Sequence, residues 1–307
     1  MTQQIWKDYY VDLSAYLTDG AAVYEIRKGA DTLYTGRAVQ RPDGTCKVRV
    51  NDVCAAWLGS HLPDVETQGD EGDDSLVAFA VYVGGSKVED VVLYRDWSYD
   101  RNWDPYTGGV STVPIRRIAD TRMPILCSFL KSDTITVDVR GTSTSESVTA
   151  PCVYVVPATG AAGTVSIGSL TWDVKDTCRR WALYYVNGYG GWDAFIFADG
   201  TESEGYARDT VERDYDNNDE LAVGTLNYRT ERSRSWELRT GILTDDEAAQ
   251  MDTITGAVQA YLYDMQEGVW YPVTMADASW TRRRYAQGRQ RVEYTITCRL
   301  AQEEVRR

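Results

Sequence analysis

The sequence predicts a mainly β protein: several antiparallel β-sandwiches, closed by an α+β C-terminal domain in which one helix lies on an antiparallel sheet. Three observations predict it. The chain carries 21 Tyr and 10 Trp against 4 Phe, with Val and Thr recurring throughout. Such β-branched and aromatic side chains suit pleated, half-buried surfaces. Runs such as KVRV (47–50) alternate with the period of two that a strand needs. Glycine-containing turns separate the runs at hairpin spacing. At 307 residues, 43% of them hydrophobic, the chain is long enough for two or three domains with their own cores.

The elements follow in order. AAVYEIRKGADTLYTGRAVQRPDGTCKVRVNDVCAAWL reads as three strands with turns at Lys28–Asp31 and Arg41–Gly44. Asn51 or Asp52 then caps a short helical turn through Leu58. The acidic stretch 64–74 reads as an exposed loop or linker. LVAFAVYV, the Gly84–Gly85 turn and KVEDVVLY form a second hairpin, and 96–109 is an aromatic loop. A further β region starts at Met123 and runs through the aromatic stretch 179–200. Residues 220–243 read as two long strands or one bent one. Thr244–Glu247 is a capping box, and Met251, Ile254, Val258 and Tyr261 follow at 3-4-3 spacing as one face of a helix. This divides the chain into an N-terminal β region (1–121, one or two small modules), a β-sandwich with the aromatic hairpin (122–212) and an α+β assembly domain (213–307).

Charge and cysteine usage narrow the function. A net charge of −14 opposes wholesale wrapping by nucleic acid, which needs a positive field. The six cysteines contain no C-x-x-C and there is one histidine, so a zinc site of the usual kind is not expected. They read instead as free, buried thiols made in a reducing compartment. The N-terminal residues lack the basic-then-apolar pattern of a signal peptide, and no run is apolar enough to insert in a membrane.

Each candidate site has a plainer reading beside it. Asn187–Gly191 has the glycines of a phosphate loop, but strand rather than helix is expected to follow it. The hairpin reading is preferred: Trp181, Leu183 and Tyr185 point to one face, and Ala182, Tyr184 and Val186 to the other. Both faces are apolar and want cover, one from the domain's own core and the other from a second domain or a second chain. Trp181, Tyr185, Tyr189, Trp192, Phe195 and Phe197 are therefore the expected interface, with Trp192→Ala expected to weaken assembly and spare the fold. A glycan shelf of Trp97, Trp103, Tyr189 and Trp192 is the alternative, with Tyr99 and Tyr106 nearby. Residues 214–220 space oxygen ligands as a calcium loop does, without the glycine at the sixth position or the glutamate at the twelfth, so a polar connector is expected. Arg282, Arg283, Arg284, Arg289 and Arg291 form a basic strip. It pairs with carboxylates of another chain, sits at a solvated hairpin tip, or meets passing DNA. Catalysis has little support: His61 stands in a loop, no G-x-S-x-G, H-E-x-x-H or Walker motif occurs, and a polysaccharide-acting carboxylate pair ranks last.

Three segments, VYEIRKGADTLYTGRAVQRPDG…VRVNDVCAAWL, YYVNGYGGWDAFIF and WELRTGILTDDEAAQMDTI…YLYD…WYPVTM, resemble in that order structural proteins of tailed phages and prophages of gut Bacteroidales, including crAss-like phages. The resemblance implies a non-enzymatic virion component of the tail or head–tail region, made in the host bacterial cytoplasm. It implies no cofactor, and partners that are copies of itself in a ring and other tail proteins, with incidental contact to packaged DNA. Long strands, a helix and a hairpin also resemble, at the level of fold, the units of phage tube and baseplate rings.

Overall fold

A computed structural model describes residues 2–4, 9–55, 57–58, 62–73, 76–95, 116–212, 225–257, 259–275, 283–284, 292–301 and 304–306. The N-terminal part contains β1 (Thr2–Gln4), β2 (Tyr10–Asp12), β3 (Ala21–Lys28), β4 (Asp31–Val39), β5 (Lys47–Arg49), α1 (Asn51–Ala55), β6 (Gly69–Gly72), β7 (Leu76–Val83) and β8 (Ser86–Tyr94). Next come β9 (Arg116–Asp120), β10 (Ile125–Phe129), β11 (Asp133–Val139), β12 (Thr142–Val148), β13 (Cys152–Val156), β14 (Gly163–Ile167) and β15 (Leu170–Lys175). The remainder is β16 (Trp181–Val186), β17 (Trp192–Ile196), β18 (Asp199–Glu212), β19 (Thr225–Arg239), α2 (Asp245–Asp252), β20 (Ala260–Asp264), β21 (Val269–Met275), β22 (Arg283–Arg284), β23 (Val292–Glu293), β24 (Thr295–Leu300) and β25 (Glu304–Arg306).

The chain is mainly β, as its composition predicts, and its sheets are antiparallel except where β1 lies parallel to β8 and β9 parallel to β15. The first sheet runs β1-β8-β7-β3-β4. Its β7–β8 hairpin turns at Gly84 and Gly85, with φ of 57° and 81°. Two successive positive φ values define the turn type that matches strand twist, and glycine reaches them without strain. Two smaller sheets run β10-β13-β6 and β12-β11-β14-β15-β9. The largest runs β17-β16-β20-β21-β24-β19-β18, with β25 also pairing β19, so it joins strands from both sides of residue 212.

That large sheet is a middle layer. One face shares a core with the two smaller sheets, through Tyr184, Trp192 and Ile196 against residues such as Val153, Val165 and Trp172. The other face shares a core with α2 and the 3-10 turn after it, through Trp181, Leu183, Phe195, Trp236 and Leu262 against Ala248, Met251 and Ile254. A third core fills the N-terminal sheet around Ile26, Val81 and Leu93.

Three local expectations change. Within the acidic stretch, Gly69–Gly72 is not loop but strand β6, registered on β13 from Gly69↔Val155 to Cys152↔Gly72. Backbone pairing to a buried strand outweighs the low strand preference of Gly and Asp. The helix predicted through Tyr261 ends at Asp252 and continues only as a 3-10 turn, Thr253–Gly256; Tyr261 lies in β20. Thr253, Ile254 and Gly256 are poor helix formers, and the alternation of AYLYD favours the sheet. Asn51 is the first residue of α1 rather than the residue ahead of it. Its side-chain oxygen accepts from the Tyr9 amide at 2.7 Å, tying α1 to the residue before β2. The capping box at Thr244 and Glu247 forms in both directions.

Candidate assembly surface

The aromatic hairpin β16–β17 pairs Ala182↔Ile196 through Val186↔Trp192, and β16 continues the sheet by pairing β20. Both of its faces are covered, but by the same chain. Trp181, Tyr185, Trp192, Phe195 and Phe197 are all at most 5% exposed. The expectation that these five side chains meet another subunit is thereby corrected: the middle-layer position of their sheet uses their area inside the fold. Trp181 packs edge-on to Trp236 at 6.3 Å, and Phe195 to Phe197 at 5.3 Å. The buried hydroxyls are satisfied: Tyr184 donates to the Pro124 carbonyl at 2.6 Å, and Tyr185 reaches the Gln250 carbonyl at 3.3 Å. Burial pushes both phenols well above their ordinary range. Trp192, at 1% exposed, cannot present a ring to a sugar; Tyr189 is half-buried.

The glycine turn holds no anion-binding geometry. The amides of Tyr189 and Gly191 donate to the Asn187 side chain at 2.9 and 3.1 Å. Gly190 N donates to the Asn187 carbonyl and Gly188 N to the Thr253 carbonyl. Each of the four donors a phosphate would need is thus already directed inward. Gly190 has φ +85°, and a Cβ there would stand 1.5 Å from the Arg95 carbonyl oxygen. Glycine at this position therefore permits a close backbone crossing between the turn and the residue that follows β8.

Beside this turn lies a buried polar node. Arg117 of β9 donates through Nε and an Nη to the two carboxylate oxygens of Asp193 at 3.0 and 3.1 Å. Gln250 of α2 donates to Asp193 at 2.9 Å and to the Ala194 carbonyl at 2.7 Å. A strand of the third sheet, the aromatic hairpin and the helix are fixed by one carboxylate. A second such residue, Asp120, is fully buried and accepts from Arg122 at 2.7 Å and from the Thr177 hydroxyl at 2.6 Å. Burial pushes its carboxyl up, but the hydrogen bonds from Arg122 and Thr177 outweigh that and hold it well below the usual carboxylate range. These are structural arrangements: each buried carboxylate is matched by a guanidinium.

A long exposed surface lies in the next hairpin. β18 and β19 pair from Asp199↔Arg239 to Glu212↔Thr225, with a register shift between Asp209 and Thr210. Its root is anchored by Trp236 and Leu238, both fully buried. Beyond the root, all of residues 201–210 are exposed. At about 3.3 Å per residue, this exposed stretch extends roughly 33 Å as an arm. One face carries Glu202, Glu204, Tyr206 and Arg208 opposite Trp236, Arg234, Arg232 and Thr230. Arg234 donates to Glu202, with Nε at 2.9 Å, and Arg232 donates to Glu204. Tyr206 donates its hydroxyl to Glu204 at 3.0 Å. Those bonds, from Arg232 first and then Tyr206, hold the Glu204 carboxyl below its ordinary value. Arg234 also lies over the rings of Trp236 and Tyr271, at 5.5 and 4.9 Å. The opposite face sets Thr201, Ser203, Gly205 and Ala207 against Glu237, Ser235, Ser233 and Glu231. Among the described residues, no strand pairs with the outer edge of β18.

Sequence reasoning missed β18 of this arm because strand 199–212 has no apolar stripe. The signal was across strands: Glu202-Ser203-Glu204 and Arg232-Ser233-Arg234 are complementary when paired antiparallel. In the basic strip, Arg283 and Arg284 form β22 opposite Glu293 and Val292; Arg282, Arg289 and Arg291 lie outside the described residues. So do Trp97, Tyr99, Trp103 and Tyr106, His61, and residues 214–220. Among the described residues, no group of three His, Cys, Asp or Glu side chains is placed to hold a metal, and no helix is long and apolar enough to cross a membrane.

No family model and no curated protein matches the sequence. Among solved structures, a chain of the anti-feeding prophage baseplate, seen by 6-fold symmetrised cryo-EM, is similar over 42% of this chain and 93% of its own, at 11% identity and a TM-score of 0.28. A score that low carries no argument about this chain.

Proposed function

We propose that this chain is a non-enzymatic structural subunit of a phage tail, baseplate or head–tail ring, working through contacts with copies of itself and with other virion proteins. The observation that carries the reading is the arm. A strand with ten successive exposed residues gains nothing from its own core, and an open strand edge is a template for another chain. The resemblance of the three sequence segments to phage structural proteins points the same way. The aromatic residues take a different part from the one first expected: they weld the layers that hold the arm steady. Carbohydrate binding loses support with the burial of Trp192.

The test is to shorten the arm, joining Ser203 to Ser235, a directly opposed pair, through Asn-Gly. Trp236 and Leu238 stay, so the cores keep their anchors and the chain should fold. Co-expressed with the tail proteins of its own phage, the shortened chain should be lost from particles that incorporate the full-length chain. Equal incorporation of both would overturn the reading.

A further inference from the structure

We propose that the outer edge of β18 pairs antiparallel with β18 of a second copy, about a two-fold axis passing through Tyr206. The inference deepens the assembly reading and rests on it; what it adds is the partner, the element and the register. Written against itself with Tyr206 opposite Tyr206, the strand sets Glu204 opposite Arg208, and by symmetry Arg208 opposite Glu204. Thr210 falls opposite Glu202 on the same face. Directly opposed side chains in an antiparallel pair interact strongly, and opposite charges there favour pairing. Shifting the axis to Glu204 would set that carboxylate on its own mate, and shifting it to Ala207 would set Glu202 on Glu212. A strand guarded against pairing would carry charge of one sign or a proline. This one carries charges that complement themselves.

Three observations support this edge as the meeting place. Arg208 is exposed and makes no ion pair among the described residues, whereas Glu202 and Glu204 are held by Arg234 and Arg232. Tyr206 stands 56% exposed at the proposed axis, an aromatic ring with no cover of its own. The arm is also close to neutral: β18 and β19 carry seven acidic and five basic residues, in a chain of net charge −14. Copies that repel over most of their surface meet here with least repulsion. The contact is isologous, so it makes pairs; a closed ring needs another, heterologous surface.

Cysteine cross-linking reads the register directly. In a Cys178→Ser background, which removes the exposed native thiol, Tyr206→Cys chains should form a disulfide-linked dimer under mild oxidation. Directly opposed Cα atoms lie about 4.5–5.5 Å apart, within disulfide reach. A mixture of Glu202→Cys and Thr210→Cys chains should cross-link far more than either chain alone. Arg208→Glu sets like charges opposite each other twice and should weaken dimerisation at least tenfold by sedimentation velocity, with an unchanged melting temperature. Arg208→Lys should retain the dimer. Oligomers that form while the Tyr206→Cys chains within them fail to cross-link would overturn this inference and leave the assembly reading standing. A chain that is monomeric at all concentrations and also excluded from particles would overturn both.

Discussion

The two successive hairpins β16–β17 and β18–β19 differ in almost every physical respect. The first is apolar on both faces and hidden on both; the second is largely polar on both faces and exposed along β18 from 201 to 210. The first has one edge paired with β20 and its turn fixed by Thr253 and Arg95, and β17, at the end of the sheet, keeps Trp192, Phe195 and Ile196 buried. The second is held beyond its root by its own ladder, by β25 and by charge pairs. A large aromatic surface therefore does not by itself imply a partner. When both faces of a strand are apolar, the nearest solution is a third layer of the same chain. A long strand exposed at every residue from 201 to 210 is a feature that intramolecular packing leaves unexplained.

The comparison breaks most visibly at the buried hairpin. Asp193→Ala removes the partner of a buried guanidinium, which should cost about 3–5 kcal/mol. Trp192→Ala opens a cavity between layers and should cost about 3–5 kcal/mol. Both follow from urea denaturation of the purified chain. Trp192→Ala is therefore expected to weaken the fold itself, unlike the assembly-only defect its composition suggested. Stability retained within about 1 kcal/mol in both variants would place the middle layer elsewhere.

Acid sharpens the same contrast. Asp120 has its carboxyl held far below its unfolded value, so its contribution is present at neutral pH. It starts to be lost as pH falls below about 4, where the unfolded chain begins to take up the proton first, and it is gone below the folded value. Asp120→Asn should lower stability at pH 7 and flatten the acid limb of the denaturation midpoint against pH. A limb of unchanged slope would show that other carboxylates dominate.

Much of this fold can be read from sequence, and the reasons are local. The β7–β8 hairpin, its double-glycine turn and the capping box at Thr244 involve residues within a few positions of one another. That the aromatic hairpin needs two covers also follows from alternation alone. What supplies the cover does not, because Tyr184 meets the Pro124 carbonyl and Asp193 meets Arg117 across 60 and 76 positions. Strand β6 was obscured because its partner β13, not its own Gly-Asp-Glu-Gly composition, makes it a strand. Half of the arm, β19, was legible as strand within 220–243, whereas β18 was obscured because 199–212 has no apolar stripe and its charge pattern has meaning only across the pair.

Two smaller effects test the interior and one helix end. Burial pushes the thiols of Cys54, Cys152 and Cys298 up to about 12 and raises that of Cys127 as well. Of the six cysteines only Cys178 is exposed. A thiol-specific reagent should modify one equivalent in the native chain and six after denaturation. Two or more fast equivalents without denaturant would mean that a core opens readily. Thr244→Ala removes one half of the capping box and should cost about 1 kcal/mol. Its signature is faster amide exchange in the first turn of α2, with the large sheet unchanged.

The smallest expected effect isolates the arm. Tyr206→Ala removes an exposed ring whose one described hydrogen bond, to Glu204, lies in solvent. Exposed substitutions of this kind change stability by less than about 0.5 kcal/mol, so denaturation of the monomer should not distinguish this variant from the parent. The same ring lies on the proposed two-fold axis, where its loss removes the central contact between copies. Stability and association should therefore separate at this one residue, as they cannot at Trp192. If Tyr206→Ala instead lowered the denaturation midpoint as far as Trp192→Ala does, the arm would be part of the folded core. The distinction between a hairpin that holds the molecule together and one that holds molecules to each other would then fail.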